Sequence, residues 1–349
     1  MSSELSDGVL SHRSAGRAGE PPPRAFAEAE ALVRPALRRA VAALPDPERR
    51  VAEYHFGWAD GAAYGGTGKA LRPALVLGAA RAVGREDRRA IPGAVAVELV
   101  HNFSLLHDDV MDADRVRRHR PAAWVRFGVG AAVLAGDALQ ILALQVLAGT
   151  GHPDVTGVLV GTMADLMRGQ SDDMAFESRD DVGAAEYRSM AELKTGALLG
   201  GACTLGALLG GSSGERAREL GRFGRHLGVA FQCADDILGI WGRPDRTGKP
   251  VGADLAARKK TLPVITALAD AGEAGRRLAA LYRRAAPPDG RECALMADLI
   301  EAAGGRTAVE AEGRRQIGLA LACLDRAEPR EAGRDELAGI AGWAMRRDH

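Results

Sequence analysis

ELVHNFSLLHDDVMD, residues 98–112, is an apolar stretch that ends in acid. With Val95 ahead of it, Leu99, Phe103, Leu106 and Val110 recur every three or four positions, the stripe of a helix with one buried face. Residues four apart on a helix share a face, so Asp108 and Asp112 point the same way with Asp109 beside them. Neighbouring carboxylates repel. Set this deep in a core-forming segment, they need partners that offset their charge.

A second pair, Asp235-Asp236, follows Phe231-Gln232-Cys233-Ala234 in another apolar helical stretch. One Asp-Asp on a solvated helix face requires no ligand. Two pairs inside core-forming helices point to a site between facing helices of a bundle, with ligands projecting inward from both. Hard carboxylate oxygens suit Mg²⁺, which keeps several waters and is shared between one or two carboxylates and a substrate phosphate. The expectation is a diphosphate held through metal between the two clusters.

Working outward, apolar periodicity predicts helices over about 26–44, 72–84, 90–113, 121–126, 130–149, 153–176, 184–210 and 215–239, then shorter ones to about 346. No segment shows strand alternation. The expected fold class is all-α, a single-domain bundle of long helices around a central cavity, covering 26–349. Residues 1–25, with Pro21-Pro22-Pro23 near their end, read as a disordered tail without a signal-peptide core.

Lys and Arg together number 46 and so do Asp and Glu, so net charge implies no polyanion-binding surface and no nucleic-acid partner. Cys203, Cys233, Cys293 and Cys323 are scattered without metal-ligand spacing, as expected for small core residues of a reduced, cytoplasmic protein. Asp137, Gln140 and Gln145 interrupt the longest apolar run, so no transmembrane segment is expected.

Cations cluster near the acids. Gly68-Lys69-Ala70-Leu71-Arg72-Pro73 sets two of them at the start of a helix, a place that favours phosphate. It is not a P-loop, because Ala63 and Ala70 stand where that motif needs Gly and Ser or Thr. Arg115-Val116-Arg117-Arg118-His119-Arg120 follows the first acidic motif, and guanidinium forks match phosphate oxygens. Lys194-Thr195 lies within an apolar helix, where a lysine is costly to bury without an anion, and Gly196 marks a kink that frees backbone carbonyls. Lys249 and Arg258-Lys259-Lys260 follow the second pair.

The ordered set GKALRP, ELVHNFSLLHDDVMD, RR, GQSDDMAFE, KT, FQCADD, TGKPVGADL and KKTLP resembles the trans-isoprenyl diphosphate synthase (polyprenyl synthetase) family, from about Phe26 to the C-terminus. The resemblance implies an Mg²⁺-dependent chain-elongating prenyltransferase that condenses isopentenyl diphosphate with an allylic diphosphate. It implies metal contacts from Asp108 and Asp112 with Asp109 supporting, and from Asp235 with Asp236 supporting. Lys69, Arg72, His101 and Arg118 match contacts to isopentenyl diphosphate, and Arg117 a contact to the allylic diphosphate. Lys194, Lys249 and Lys259 match residues along the leaving diphosphate, while Thr195 and Gln232 match oxygens near the developing allylic cation. A homodimer is implied as well, and the tail could serve a protein partner.

Three positions depart from the family pattern. Gly239 replaces a third acid in the second motif, His119 stands where Gly commonly follows the two arginines, and Thr67 interrupts a Gly-Gly-Lys. Two other functions stay open at this point: a catalytically weak synthase-like subunit or docking protein, and a class I terpene cyclase. Phe103, beside Ser104 one turn before Asp108, matches the floor that limits chain length in similar synthases. One large side chain in that layer implies a C20 geranylgeranyl product, with C15 farnesyl diphosphate second.

Overall fold

The structure, a computed structural model, describes residues 22–58, 70–84, 87–212, 214–242, 251–284 and 286–346. Lys69, Lys249, Thr67 and most of the expected tail lie outside the described residues. The first helices are α1 (Arg24–Ala42), α2 (Asp46–Phe56), α3 (Leu71–Val83), α4 (Ile91–Met111) and α5 (Ala123–Phe127). Next come α6 (Val129–Ala148), α7 (Val155–Glu177), α8 (Ala184–Ala191), α9 (Ala197–Leu209) and α10 (Glu215–Trp241). The chain continues through α11 (Ala253–Ala256), α12 (Leu262–Leu268), α13 (Glu273–Tyr282), α14 (Gly290–Ala302), α15 (Gly305–Arg326) and α16 (Glu331–Arg346). The expected all-α bundle is what forms.

Helix α9 is apolar on every side, and nearly all of it is buried between α3, α4, α7 and α10. Its glycines let neighbours approach at backbone distance: a Cβ at Gly196, just before α9, would stand 2.8 Å from the Arg225 carbonyl oxygen of α10. Helix α4 packs against α3, α6 and α9 through the apolar stripe. Leu99 and Leu106 of α4, Leu139 of α6 and Leu198 and Leu205 of α9 are fully buried. Each such side chain contributes about 1.5–3 kcal/mol by leaving water. That packing fixes the acid-bearing end of α4 relative to α10.

Three local features differ from the sequence expectation. Helix α2 was not anticipated, although Pro47 near its start, Asp46 and Glu48 in its first turn and a left-handed Gly57 at its end are ordinary helix signals. The expected helix over 184–210 is α8 and α9 joined by a π-helical turn, Glu192–Gly196, around the Lys194-Thr195 pair. The kink expected at Gly196 takes that form, and such turns are frequent at functional sites. After α4, two-residue strands β1 (Val116–Arg117) and β2 (Arg120–Pro121) pair antiparallel. Strands so short leave no alternation to detect.

Helix α6 is the one described helix long and apolar enough to cross a membrane. One face packs on α4; the other leaves Leu134 and Ile141 exposed. The four cysteines are free and buried, as expected.

Candidate active site

In each Asp-Asp pair the second acid is tied into the protein and the first is not buried. Asp109 is 1% exposed and accepts Nε of Arg117 at 2.8 Å and Nη2 at 2.5 Å. Asp108 is half-buried and Asp112 exposed at the end of α4. Burial pushes the Asp108 carboxyl up to about 6, with Asp112 and Asp109 adding to the shift and Lys194 and Arg117 opposing it. Asp236 is likewise 1% exposed, and Asp235 beside it is exposed. Asp109 and Asp236 thus hold neighbouring groups in place.

The β1–β2 hairpin positions the arginines. Arg118 and His119 occupy its two-residue turn with φ of 52° and 61°, both left-handed, the twist that short hairpins require. The turn settles the loop that His119 leaves uncertain in the sequence. The hairpin is docked on the end of α2, with Tyr54 Oη donating to the Pro121 carbonyl at 2.8 Å and Arg120 donating to the Tyr54 carbonyl at 2.9 Å. Arg118 donates to the His55 carbonyl at 3.2 Å and to Asn102 Oδ1 at 3.3 Å. Arg117 is directed onto Asp109, whose field with those of Asp114 and Asp108 outweighs desolvation and raises its pKa. A left-handed His costs about 1–2 kcal/mol relative to a relaxed conformation. His119→Gly is therefore expected to raise stability by about 0.5–1 kcal/mol after glycine's greater unfolded-state entropy is subtracted. Urea unfolding measures it, and a net loss would mean that the His119 side chain makes a contact worth more than the strain.

Arg72 and Arg118 act on both the buried carboxylate of Glu98 and His101. Burial raises the Glu98 pKa, and Arg72 and Arg118 are the cations that oppose the rise. Asn102 donates to Glu98 Oε1 at 3.1 Å and to its carbonyl at 2.8 Å. Burial, then Arg72 and Arg118, hold His101 well below the ordinary histidine range. His101 is therefore a neutral hydrogen-bonding group at physiological pH, and the positive charge of this pocket comes from the arginines.

The π-helical turn meets α7 and α10. Lys194 Nζ donates to Asp173 Oδ2 of α7 at 2.5 Å, and its charge also acts on Asp108. Thr195 Oγ1 donates to Gln232 Oε1 at 2.9 Å, and Gln232 Nε2 donates to Asp236 Oδ1 at 3.1 Å. Asp236 Oδ2 accepts from Tyr187 Oη at 2.6 Å and from the Leu262 N–H at 3.0 Å. Burial raises the Asp236 carboxyl to about 7 despite these donors. Lys259 closes the ring. Burial lowers its pKa, but the carboxylates of Asp173, Asp254, Asp112 and Asp236 outweigh burial and raise it. A single ammonium thus senses acids from both motifs.

These residues fit a divalent cation. Asp108, Asp112 and Asp235 supply hard oxygens, and the described residues contain no set of three ligating side chains already gathered about one point. Mg²⁺ keeps several waters and takes one or two carboxylates beside substrate phosphate, a donor chemistry that these acids match. Phe103, the expected chain-length residue, is 4% exposed and meets His107 edge-on at 5.4 Å. Ser104 is half-buried and donates to the His101 carbonyl at 2.8 Å.

Glu98, Asn102, Asp173, Tyr187 and Asp254 were given no individual role from the sequence. Glu98 and Asn102 lie at i and i+4 within the opening stretch, and Asp173 and Asp254 within quoted motifs, so their placement was open to inspection. Tyr187 carried no such signal.

Paired acids on two helices that both pack on α9, with arginines and lysines near them in an all-α bundle, are the arrangement expected of the isoprenoid synthase fold. Residues 62–297 match the polyprenyl synthetase family, and the chain belongs to it. It is 49% identical over 300 residues to a (2E,6E)-farnesyl diphosphate synthase of Mycobacterium tuberculosis, covering 83% of each chain. A geranylgeranyl diphosphate synthase of the same organism is 44% identical over 297 residues, covering 83% of this chain and 85% of the relative. Among solved structures, polyprenyl synthetase from Streptomyces coelicolor A3(2) superposes with a TM-score of 0.87 at 43% identity, over 92% of this chain and 98% of the other.

Proposed function

We propose that the protein is an Mg²⁺-dependent trans-prenyltransferase that joins isopentenyl diphosphate to an allylic diphosphate, with a C20 product. The observation that supports this most is that the Lys259 ammonium feels Asp112 of the first acidic motif and Asp236 of the second, as expected if both face one site. Asp108, Asp112 and Asp235 would hold Mg²⁺. When bound, the ion supplies Lewis-acid neutralisation of the departing diphosphate.

The protein's own groups divide the remaining work. Arg72, Arg118 and neutral His101 form the pocket for the isopentenyl diphosphate, whose charge the two guanidiniums offset. Arg117, oriented by Asp109, and Lys194, oriented by Asp173, face the allylic diphosphate, with Lys259 beyond them. The allylic C–O bond breaks with its electron pair leaving on the diphosphate, and the cations stabilise that charge as it develops. Thr195 donates a hydrogen bond to Gln232, which leaves its hydroxyl lone pairs to face the allylic cation. The double bond of isopentenyl diphosphate then forms the new C–C bond, and a proton is lost to the released diphosphate. Release of inorganic diphosphate that needs both substrates together with Mg²⁺ tests this assignment. Release from the allylic substrate alone would favour a cyclase, and no release would favour a subunit without activity of its own.

Product length rests on Phe103. Its ring is buried in the core of α4 ahead of Asp108, and Ser104 beside it is small and half-buried. The farnesyl synthase relative favours C15 as the second reading. Phe103→Ala is expected to lengthen the product by one or more C5 units, and Ser104→Phe to shorten it. Chromatography of dephosphorylated products checks this; unchanged length in both variants would place the floor elsewhere.

A homodimer fits one face of the bundle. Val160, Met167 and Met174 on α7 are exposed at seven-residue spacing, and Leu134 and Ile141 on α6 repeat the same interval. Exposed apolar rows of this kind suit a second copy of the chain. Sedimentation velocity distinguishes the dimer from a monomer.

A further inference from the structure

Helix α2 ends at Phe56, and its last carbonyls have no partner in a following turn. Gly57, left-handed with φ of 79°, turns the chain back so that its N–H donates to the Tyr54 carbonyl at 2.9 Å and the Trp58 N–H to that of Glu53 at 2.8 Å. Arginines of the β1–β2 hairpin bind here as well, Arg118 at the His55 carbonyl and Arg120 at the Tyr54 carbonyl. A helix C-terminus favours such cations. The Tyr54 side chain, 4% exposed, adds a second set of contacts. The guanidinium carbons of Arg120 and Arg126 lie over its ring, 4.9 and 4.8 Å from the centroid, Phe127 meets it edge-on at 5.3 Å, and its hydroxyl donates to Pro121 of β2. Tyr54 therefore grips the second strand of the hairpin by carbonyl, ring and hydroxyl.

The two adjacent arginines of the hairpin have different supports. Arg117 is fixed by two hydrogen bonds to Asp109 of α4, which do not involve α2. Arg118 makes two longer contacts, 3.2 Å to the His55 carbonyl and 3.3 Å to Asn102 Oδ1, so its place depends on how the hairpin is set down on the end of α2. We infer that Tyr54 is a positioning residue for isopentenyl diphosphate: by seating the hairpin on α2 it aims Arg118, while Arg117 is left to Asp109. The inference rests on the assignment of Arg118 to the isopentenyl diphosphate pocket.

The test is steady-state kinetics on the full chain with Mg²⁺, each substrate varied while the other is saturating. Tyr54→Leu is expected to raise KM for isopentenyl diphosphate about tenfold, in keeping with the cost of a small misplacement of a binding group. Arg120→Gln, at a half-buried position, should act in the same direction and carries the test if Tyr54→Leu does not fold. Tyr54→Phe keeps the ring and loses one hydrogen bond, so its KM should stay within about threefold of wild type. In all three, kcat and KM for the allylic substrate should change less than about twofold, the pattern of lost binding at one substrate only. In an Arg118→Ala background Tyr54→Leu should add little, because both act through one contact. No rise in KM, equal rises for both substrates, or an effect of Tyr54→Leu that multiplies in full with Arg118→Ala would overturn the positioning role. If Arg118→Ala itself leaves KM for isopentenyl diphosphate unchanged, the pocket assignment falls and the inference falls with it.

Discussion

Asp108→Ala lowers turnover by about a hundredfold or more, and Asp235→Ala does the same, in the range found when a preorganised charge-stabilising group is lost. Each removes a hard oxygen from one wall of the site, so the charge of the departing diphosphate is left less compensated. Neither change should unfold the protein. Burial raises the Asp108 carboxyl to about 6, so the folded state disfavours its ionised form at neutral pH, and Asp235 is exposed. The expected pattern is a large fall in kcat at saturating Mg²⁺ with an unfolding midpoint near wild type. A loss below about tenfold, or about 1.4 kcal/mol of barrier, in either variant would contradict the assignment.

Asp236→Ala acts on stability first. The Tyr187 hydroxyl, the Leu262 N–H and the Gln232 amide all donate to this buried carboxylate. A buried donor left unsatisfied costs about 1–3 kcal/mol, so the three together predict a loss of about 3 kcal/mol or more. Gln232 also loses what orients it toward Thr195, so the activity of the folded fraction should fall as well. The pH dependence has a definite sign. Because the folded pKa is raised to about 7, this carboxyl contributes most stability at low pH, and the contribution is lost as pH rises from about 4 through 7. The stability gap between wild type and variant should therefore be wider at pH 5 than at pH 8 in urea titrations. A gap that widens with rising pH would mean that the donors around Asp236 outweigh its burial.

The bundle was legible because α4 and α10 carry regular apolar stripes, and their acids stand out against them. The arginine hairpin was not, since two-residue strands leave no periodic trace and Arg118-His119 is not an Asn-Gly type of turn. Helix α2 offered readable end signals, but its only large apolar residues are Val51, Tyr54 and Phe56, too few for a stripe. The division of labour within each Asp-Asp pair also lay beyond the sequence. Adjacent residues on a helix point about 100° apart, but which one meets Arg117 or Tyr187 depends on neighbours brought in by other elements.

The most direct test of the central claim is the mass of the prenyl alcohol freed by phosphatase after the wild-type protein has acted on isopentenyl diphosphate and an allylic primer with Mg²⁺. A linear product longer than the primer, ending at C20 and absent when chelator is added, is the predicted result. A cyclic hydrocarbon, or recovery of the primer alone, would contradict it.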